Sequence, residues 1–184
     1  MDSRENRRHG RVLAIALAAG VALAAAAAPA ETLSLPRPGP SVLEIPFFVD
    51  RRLDGAIRVA LEEAARRLRD ERCREVLTDF TDGAGRRLDE NLASIGQSMP
   101  DYLGLVLFYD GSRTEPCENE RILAWTHPGA RAVRVCESFF KWQRGDPGYA
   151  ADIVIHEALH TLGLGERPPL PADITAKVVE RCGR

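Results

Sequence analysis

The apolar positions of this chain recur at two periods, and the polar stretches between them mark the ends of elements. Ile57, Ala60, Leu61, Ala64, Ala65 and Leu68 repeat at three- and four-residue spacing, the stripe of an amphipathic helix. The pattern predicts a helix from Asp54, as N-cap, to about Glu75, with Arg66, Arg67, Arg69, Asp70 and Glu71 on its solvent face. It reads as scaffold. Residues 80–85, FTDGAG, predict a turn, followed by a short amphipathic helix near Leu88–Gln97. Tyr102–Tyr109 (YLGLVLFY), bounded by Asp110-Gly111, predicts a strand. RILAWT (121–126) and AVRVC (132–136) flank the turn His127-Pro128-Gly129-Ala130 as a hairpin. Residues 137–150 predict a loop whose Phe139, Phe140 and Trp142 cover the core. Asp173 is the expected cap of a last helix, Ile174–Arg181, that turns Ile174, Val178 and Val179 inward.

Within residues 151–169, ADIVIHEALHTLGLGERPP, the apolar run Ile153, Val154, Ile155, Ala158, Leu159 and Leu162 breaks this alternation. It predicts a buried helix beginning near Ala151. His156 and His160 are four residues apart on it, so both imidazoles face one point and Glu157 lies beside them. Two neutral imidazoles suit Zn²⁺, and the adjacent carboxylate suits the general base that takes a proton from zinc-bound water. A bare H-E-x-x-H is a weak signal, and a His pair on an apolar helix also fits a hydrogen-bonded core. Two further residues tip the reading. Gly163 can end the helix in a left-handed conformation, and Glu166 follows His156 by ten residues, where the turned-back chain can supply a third ligand. The expected metal ligands are His156, His160 and Glu166, with Glu157 catalytic. Glu180, twenty-four residues after His156, is the less favoured third ligand because it must reach back from the far end of a short helix.

Composition adds a compartment. Residues 4–11 are basic, residues 12–28 are apolar and Ala-rich, and Ala28-Pro29-Ala30 offers small residues for cleavage after Ala30. Residues 1–30 thus read as a signal peptide, preferred over an uncleaved membrane anchor because the run is short and weakly hydrophobic. Residues 31–46, rich in Pro and Gly, read as an extended lead-in, and residues 47–184 as one domain. A secreted or periplasmic location follows, with no stable membrane insertion after cleavage. The four cysteines, Cys73, Cys117, Cys136 and Cys182, then read as two disulfides rather than a zinc site, since no C-x-x-C pair exists. Cys73–Cys117 with Cys136–Cys182 is the preferred pairing among three. Acids and bases are interspersed around a formal net charge of −2. No basic stripe with interleaved aromatics points to nucleic acid. Asp79 and Asp82 lack the ligand spacing of a calcium loop. His127, in a turn before Pro, is expected to face solvent, and neither Tyr102 nor Tyr149 is assigned as an oxyanion donor.

The stretches HEALHTLGLGERPP, DITAKVVERC and THPGARAVRVCESFF resemble small exported bacterial zinc metallopeptidases of the zincin class, metzincin-like and deuterolysin-like, over Cys73–Cys182. The resemblance implies an α+β zincin-like fold, with a small sheet packed on the active-site helix. It also implies Zn²⁺ as cofactor and hydrolysis of a peptide or protein substrate that pairs with a sheet edge. Two departures stand out. The only methionines are Met1 and Met99, so no Met-turn follows the motif, and the G-T-x-D segment of the deuterolysin-like group is missing. The alternative from another class is a non-catalytic, zinc-stabilised envelope or interaction protein.

Overall fold

The computed structural model describes residues 51–183. The expected signal peptide, lead-in and first residues of the domain lie outside the described residues. Among those described, seven helices and one three-stranded sheet give a mixed α+β architecture.

Its centre is α6, Pro147–Thr161. Asp146 caps it, accepting a hydrogen bond from the Tyr149 backbone N–H at 3.0 Å, and Pro147 fills the first turn, where its missing N–H costs nothing. From Ala150 to Thr161 every residue is buried. A helix apolar on all sides needs neighbours on all sides. These are α1 (Arg51–Arg67), α5 (Glu137–Gly145), α7 (Pro171–Cys182) and the sheet. The sheet consists of β1 (Leu107–Asp110), β2 (Ala124–Trp125) and β3 (Ala132–Val135) in the order β1-β3-β2. β3 pairs parallel with β1 and antiparallel with β2, so the expected hairpin is present and β2 is an edge.

Several local expectations give way to tertiary context. The first helix already includes residues 51–53, so Asp54 is not its cap but pairs with Arg58 one turn on, Nε to Oδ1 3.1 Å. It also ends at Arg67, because Asp70 in extended conformation accepts the Arg72 N–H at 2.8 Å and starts a separate short helix, α2 (Glu71–Arg74). The predicted strand 102–109 begins as the end of a helix and a turn. Ser98 caps and Pro100 opens α4 (Met99–Leu103), which buries Tyr102, and only Leu107 onward is extended. Residues 137–145 form α5 rather than a loop. Their aromatics sit at helical spacing, with Phe139 fully buried and Trp142 48% exposed instead of in the core. The last helix starts at Pro171 with Leu170 as N-cap, so Asp173 lies in its first turn. The short helix near 88–97 is present as α3 (Leu88–Ile95). Asp82 makes the expected turn hydrogen bonds, accepting from Ala84 N–H and Arg86 N–H at 2.9 Å each.

The disulfides reverse the preferred pairing: they are Cys73–Cys182 and Cys117–Cys136. Parallel β1–β3 pairing carries the chain past Gly111 to the end of β3, where Cys136 lies. A Cβ on Gly111 would stand 2.9 Å from the Arg134 Cβ and 3.1 Å from the Cys117 Sγ, so glycine is what lets these segments close. α7 meanwhile folds back along α2, and Arg181 reinforces that junction by pairing with Asp79 at 2.8 Å and with Glu75. The two disulfides accord with an oxidising compartment, and no helix among the described residues is long and apolar enough to cross a membrane.

The sequence separations of the two bridges, 109 and 19 residues, set their expected contributions. Loop-closure entropy gives roughly 5 kcal/mol for the first and about 3 kcal/mol for the second. Replacing Cys73 and Cys182 by Ser should therefore lower the denaturation midpoint more than replacing Cys117 and Cys136. Equal midpoints for the two double variants would contradict the pairing.

Candidate functional site

The end of α6 is built so that its last histidine has one orientation. Gly163, at φ 110°, takes the left-handed turn expected of it. The Gly163 N–H donates to the His160 carbonyl (2.9 Å) and the Leu164 N–H to the Leu159 carbonyl (3.2 Å), the paired bonds of a Schellman cap, with Leu159 and Leu164 both buried. A Cβ at residue 163 would meet the Asp82 Cβ at 3.1 Å, a second reason for glycine there. The turn leaves the Leu164 carbonyl facing His160 Nδ1 at 2.7 Å. A carbonyl only accepts, so Nδ1 carries the proton and Nε2 presents a bare lone pair.

That lone pair faces a second imidazole nitrogen and a carboxylate oxygen. His156 Nε2 lies 3.0 Å from His160 Nε2, and Glu166 Oε1 lies 3.3 Å from it. The ligand atoms of His156, His160 and Glu166 all fall within 4.8 Å of one another. His156 Nδ1 is in turn paired with Thr175 Oγ1 of α7 at 3.0 Å. Both histidines are buried, whereas the Glu166 side chain is 45% exposed. Burial, and then the neighbouring His160, pulls the His156 imidazole down to about 3, so it is neutral at pH 7.

Glu157 stands beside this cluster. Its Oε2 is buried with no hydrogen-bond partner, an uncommon and costly state for a carboxylate. Burial, and then the charge of Glu166, pushes its carboxyl up to about 8. A cation held by the three facing acceptors acts the other way and favours the ionised form. The residues fit such a cation. Ligand atoms on a tetrahedral Zn²⁺ at roughly 2.0–2.1 Å stand about 3.3 Å apart, close to the 3.0 and 3.3 Å separations from His160 Nε2, with the third pair within 4.8 Å.

The cluster opens on a cleft of about 970 Å³ whose walls are β2, α6 and the start of α7. His127 is exposed, as expected, yet it lines the cleft, and its turn is docked on α6 by the Gly129 N–H donating to the His160 carbonyl at 2.8 Å. Tyr149 lines the cleft as well. Tyr102 does not, being buried with its hydroxyl donating to Thr161 Oγ1 at 3.0 Å. Glu180 is exposed and pairs with Lys177 at 2.6 Å, outside the cluster.

No protein-family model, curated protein or solved structure matches the chain. The site is therefore read on its own chemistry.

Two contributors were missed in the sequence. Thr175 had no signal, because its partner is nineteen residues away on another helix. Arg67, placed on the solvent face of α1, is buried. Its Nη1 pairs with Asp152 Oδ1 at 2.7 Å, one turn before His156, and its Nε with Glu63 at 2.7 Å. An Asp on an otherwise apolar helix was the available hint, since a buried carboxylate needs a cation. This pair anchors α6 against α1. Asp152→Ala should destabilise the protein by roughly 1–3 kcal/mol, because it leaves Arg67 Nη1 buried without its acceptor while Glu63 still pairs with Nε. Chemical denaturation would check this, and a loss below about 1 kcal/mol would show that water reaches Arg67.

Proposed function

We propose that the protein is a secreted or periplasmic zinc-dependent peptide-bond hydrolase of zincin-like architecture, with His156, His160 and Glu166 holding Zn²⁺ and Glu157 as general base. The observation that carries the reading is the Glu157 carboxylate, whose buried Oε2 has no partner beside three converging acceptors in the wall of an open cleft. In such a site Zn²⁺ supplies Lewis acidity, polarising a carbonyl and acidifying water toward a pKa of about 7. Glu157 takes the proton of the attacking water and hands it to the leaving amine. Thr175 and the Leu164 carbonyl hold the two imidazoles with Nε2 toward the cleft.

A peptide substrate is favoured by β2. It is an edge strand and it lines the cleft opposite His156 and Glu157, so an extended chain can add to it through main-chain hydrogen bonds. The non-catalytic alternative requires a metal closed off by protein. The half-exposed Glu166 and the cleft beside it favour an open position instead.

Purified protein should carry about one zinc per chain by elemental mass spectrometry, the stoichiometry of a single three-ligand site. Glu166→Ala should remove most of it, while Glu180→Ala should not. Folded protein that takes up no zinc when offered it would overturn the reading. Glu157→Gln should keep the zinc and lose peptide hydrolysis by at least about 100-fold, whereas His160→Ala should lose both. Wild-type turnover in Glu157→Gln would rule out its role as base. Thr175→Val should weaken zinc binding by about 10–100-fold without unfolding the protein.

A further inference from the structure

Carboxylates and guanidiniums line the cleft in equal number, two of each among the described residues. The protein carries a formal net charge of −2, and among the described residues the only carboxylates in the cleft wall are Glu157 and Glu166, both already committed to the water and the metal on the reading above. Two arginines line the cleft as well. Arg121 leads into β2 and Arg167 directly follows Glu166, so they stand on different walls. Both are exposed, and neither guanidinium has a carboxylate, carbonyl or aromatic partner among the described residues. Arginines elsewhere are mostly engaged: Arg58, Arg66, Arg67, Arg86, Arg87 and Arg181 pair with carboxylates, and Arg134 and Arg144 lie over rings.

Arg167 also occupies a conformation that does not suit it. Its φ is 70°, the left-handed region in which a Cβ crowds the following carbonyl and glycine is the undemanding choice. The Arg167 N–H donates to the Pro169 carbonyl at 2.8 Å and holds the backbone there. The chain thus keeps a long cationic side chain at a strained position beside the metal cluster. Strain retained next to a site is a mark of use.

We infer that the cleft selects peptides bearing carboxylates, with Arg121 and Arg167 as the specificity-determining cations. A guanidinium binds a carboxylate through two parallel N–H···O bonds. A lysine or arginine in the substrate would instead meet like charge. The inference rests on the peptide-hydrolase reading for its ligand class, and binding and cleavage together separate the two.

The experiment measures fluorescence anisotropy of labelled octapeptides that differ at one central residue, Glu, Gln or Lys, all with amidated C-termini. A fourth peptide, Gln at the centre with a free C-terminus, distinguishes a side-chain carboxylate from a terminal one. At low salt the Glu peptide, or the free-terminus peptide, should bind at least about tenfold tighter than the Lys peptide, and the difference should shrink at about 0.5 M salt. The double variant Arg121→Glu/Arg167→Glu, at two exposed positions and checked for an unchanged circular dichroism spectrum, should invert the preference toward Lys. Equal affinities for Glu, free-terminus and Lys peptides, no binding of any of them, or a preference that survives the charge reversal would overturn the inference. Cleavage of the same peptides is followed in parallel. Charge-selective binding with no cleavage upholds the inference and overturns the hydrolase reading. Cleavage of the Glu, free-terminus and Lys peptides at equal rates overturns the inference and leaves the hydrolase reading standing.

Discussion

Two imidazole nitrogens and a carboxylate oxygen face one another at the end of α6, and the surrounding structure keeps them so. The Schellman turn at Gly163 puts the Leu164 carbonyl on His160 Nδ1, which commits the ring's proton to the outside. The inward Nε2 is then a lone pair, with His156 Nε2 at 3.0 Å and a carboxylate oxygen at 3.3 Å. Without a cation one relief is available: His156 can shift its proton to Nε2 and donate to His160, with the Thr175 hydroxyl turned to donate to Nδ1. Glu166 then still faces a lone pair, and Glu157 Oε2 still has nothing to accept from. A cation relieves the whole cluster at once.

The scaffold fixes the positions of these atoms from several sides. α7 brings Thr175 to His156, and it is fastened to α2 by the Cys73–Cys182 bridge and to Asp79 by Arg181. The hairpin turn is tied to the His160 carbonyl by the Gly129 N–H. Beneath, Arg67 and Asp152 pair across the α1–α6 interface one turn before the first histidine. A buried ion pair adds little net stability compared with apolar residues, but it tolerates only one register between the two helices.

Much of this was legible because it is local. The 3.6-residue stripe of 57–68, the apolar run of 153–162, the spacing of His156, His160 and Glu166 and the turn at Gly163 are all properties of one segment. What escaped was tertiary, or rested on one cap. Asp70 looked like one more exposed charge on a long helix, whereas its side chain begins a new one. Ser98 and Pro100 are a cap and a first-turn proline, yet the apolar run after them outweighed that signal and hid α4. The aromatics of 137–145 were read without a period because Cys136 offers no side-chain cap. The disulfides depended on which strands run parallel, and sequence separation does not encode that.

The burial of the cluster is graded, and the gradient gives the site a direction. His156, Glu157 and His160 are 6%, 6% and 3% exposed, while the Glu166 side chain is 45% exposed. The helix therefore provides a desolvated floor, and the segment after Gly163 provides a wetter side. Charge in the floor acts in a low effective dielectric and charge at the rim is screened. Groups that steer a substrate thus belong at the rim and groups that do chemistry belong below. Arg167, one residue past Glu166, stands at the exposed side and Glu157 in the floor. That arrangement sets a screened, exposed cation and a desolvated carboxylate in one cleft.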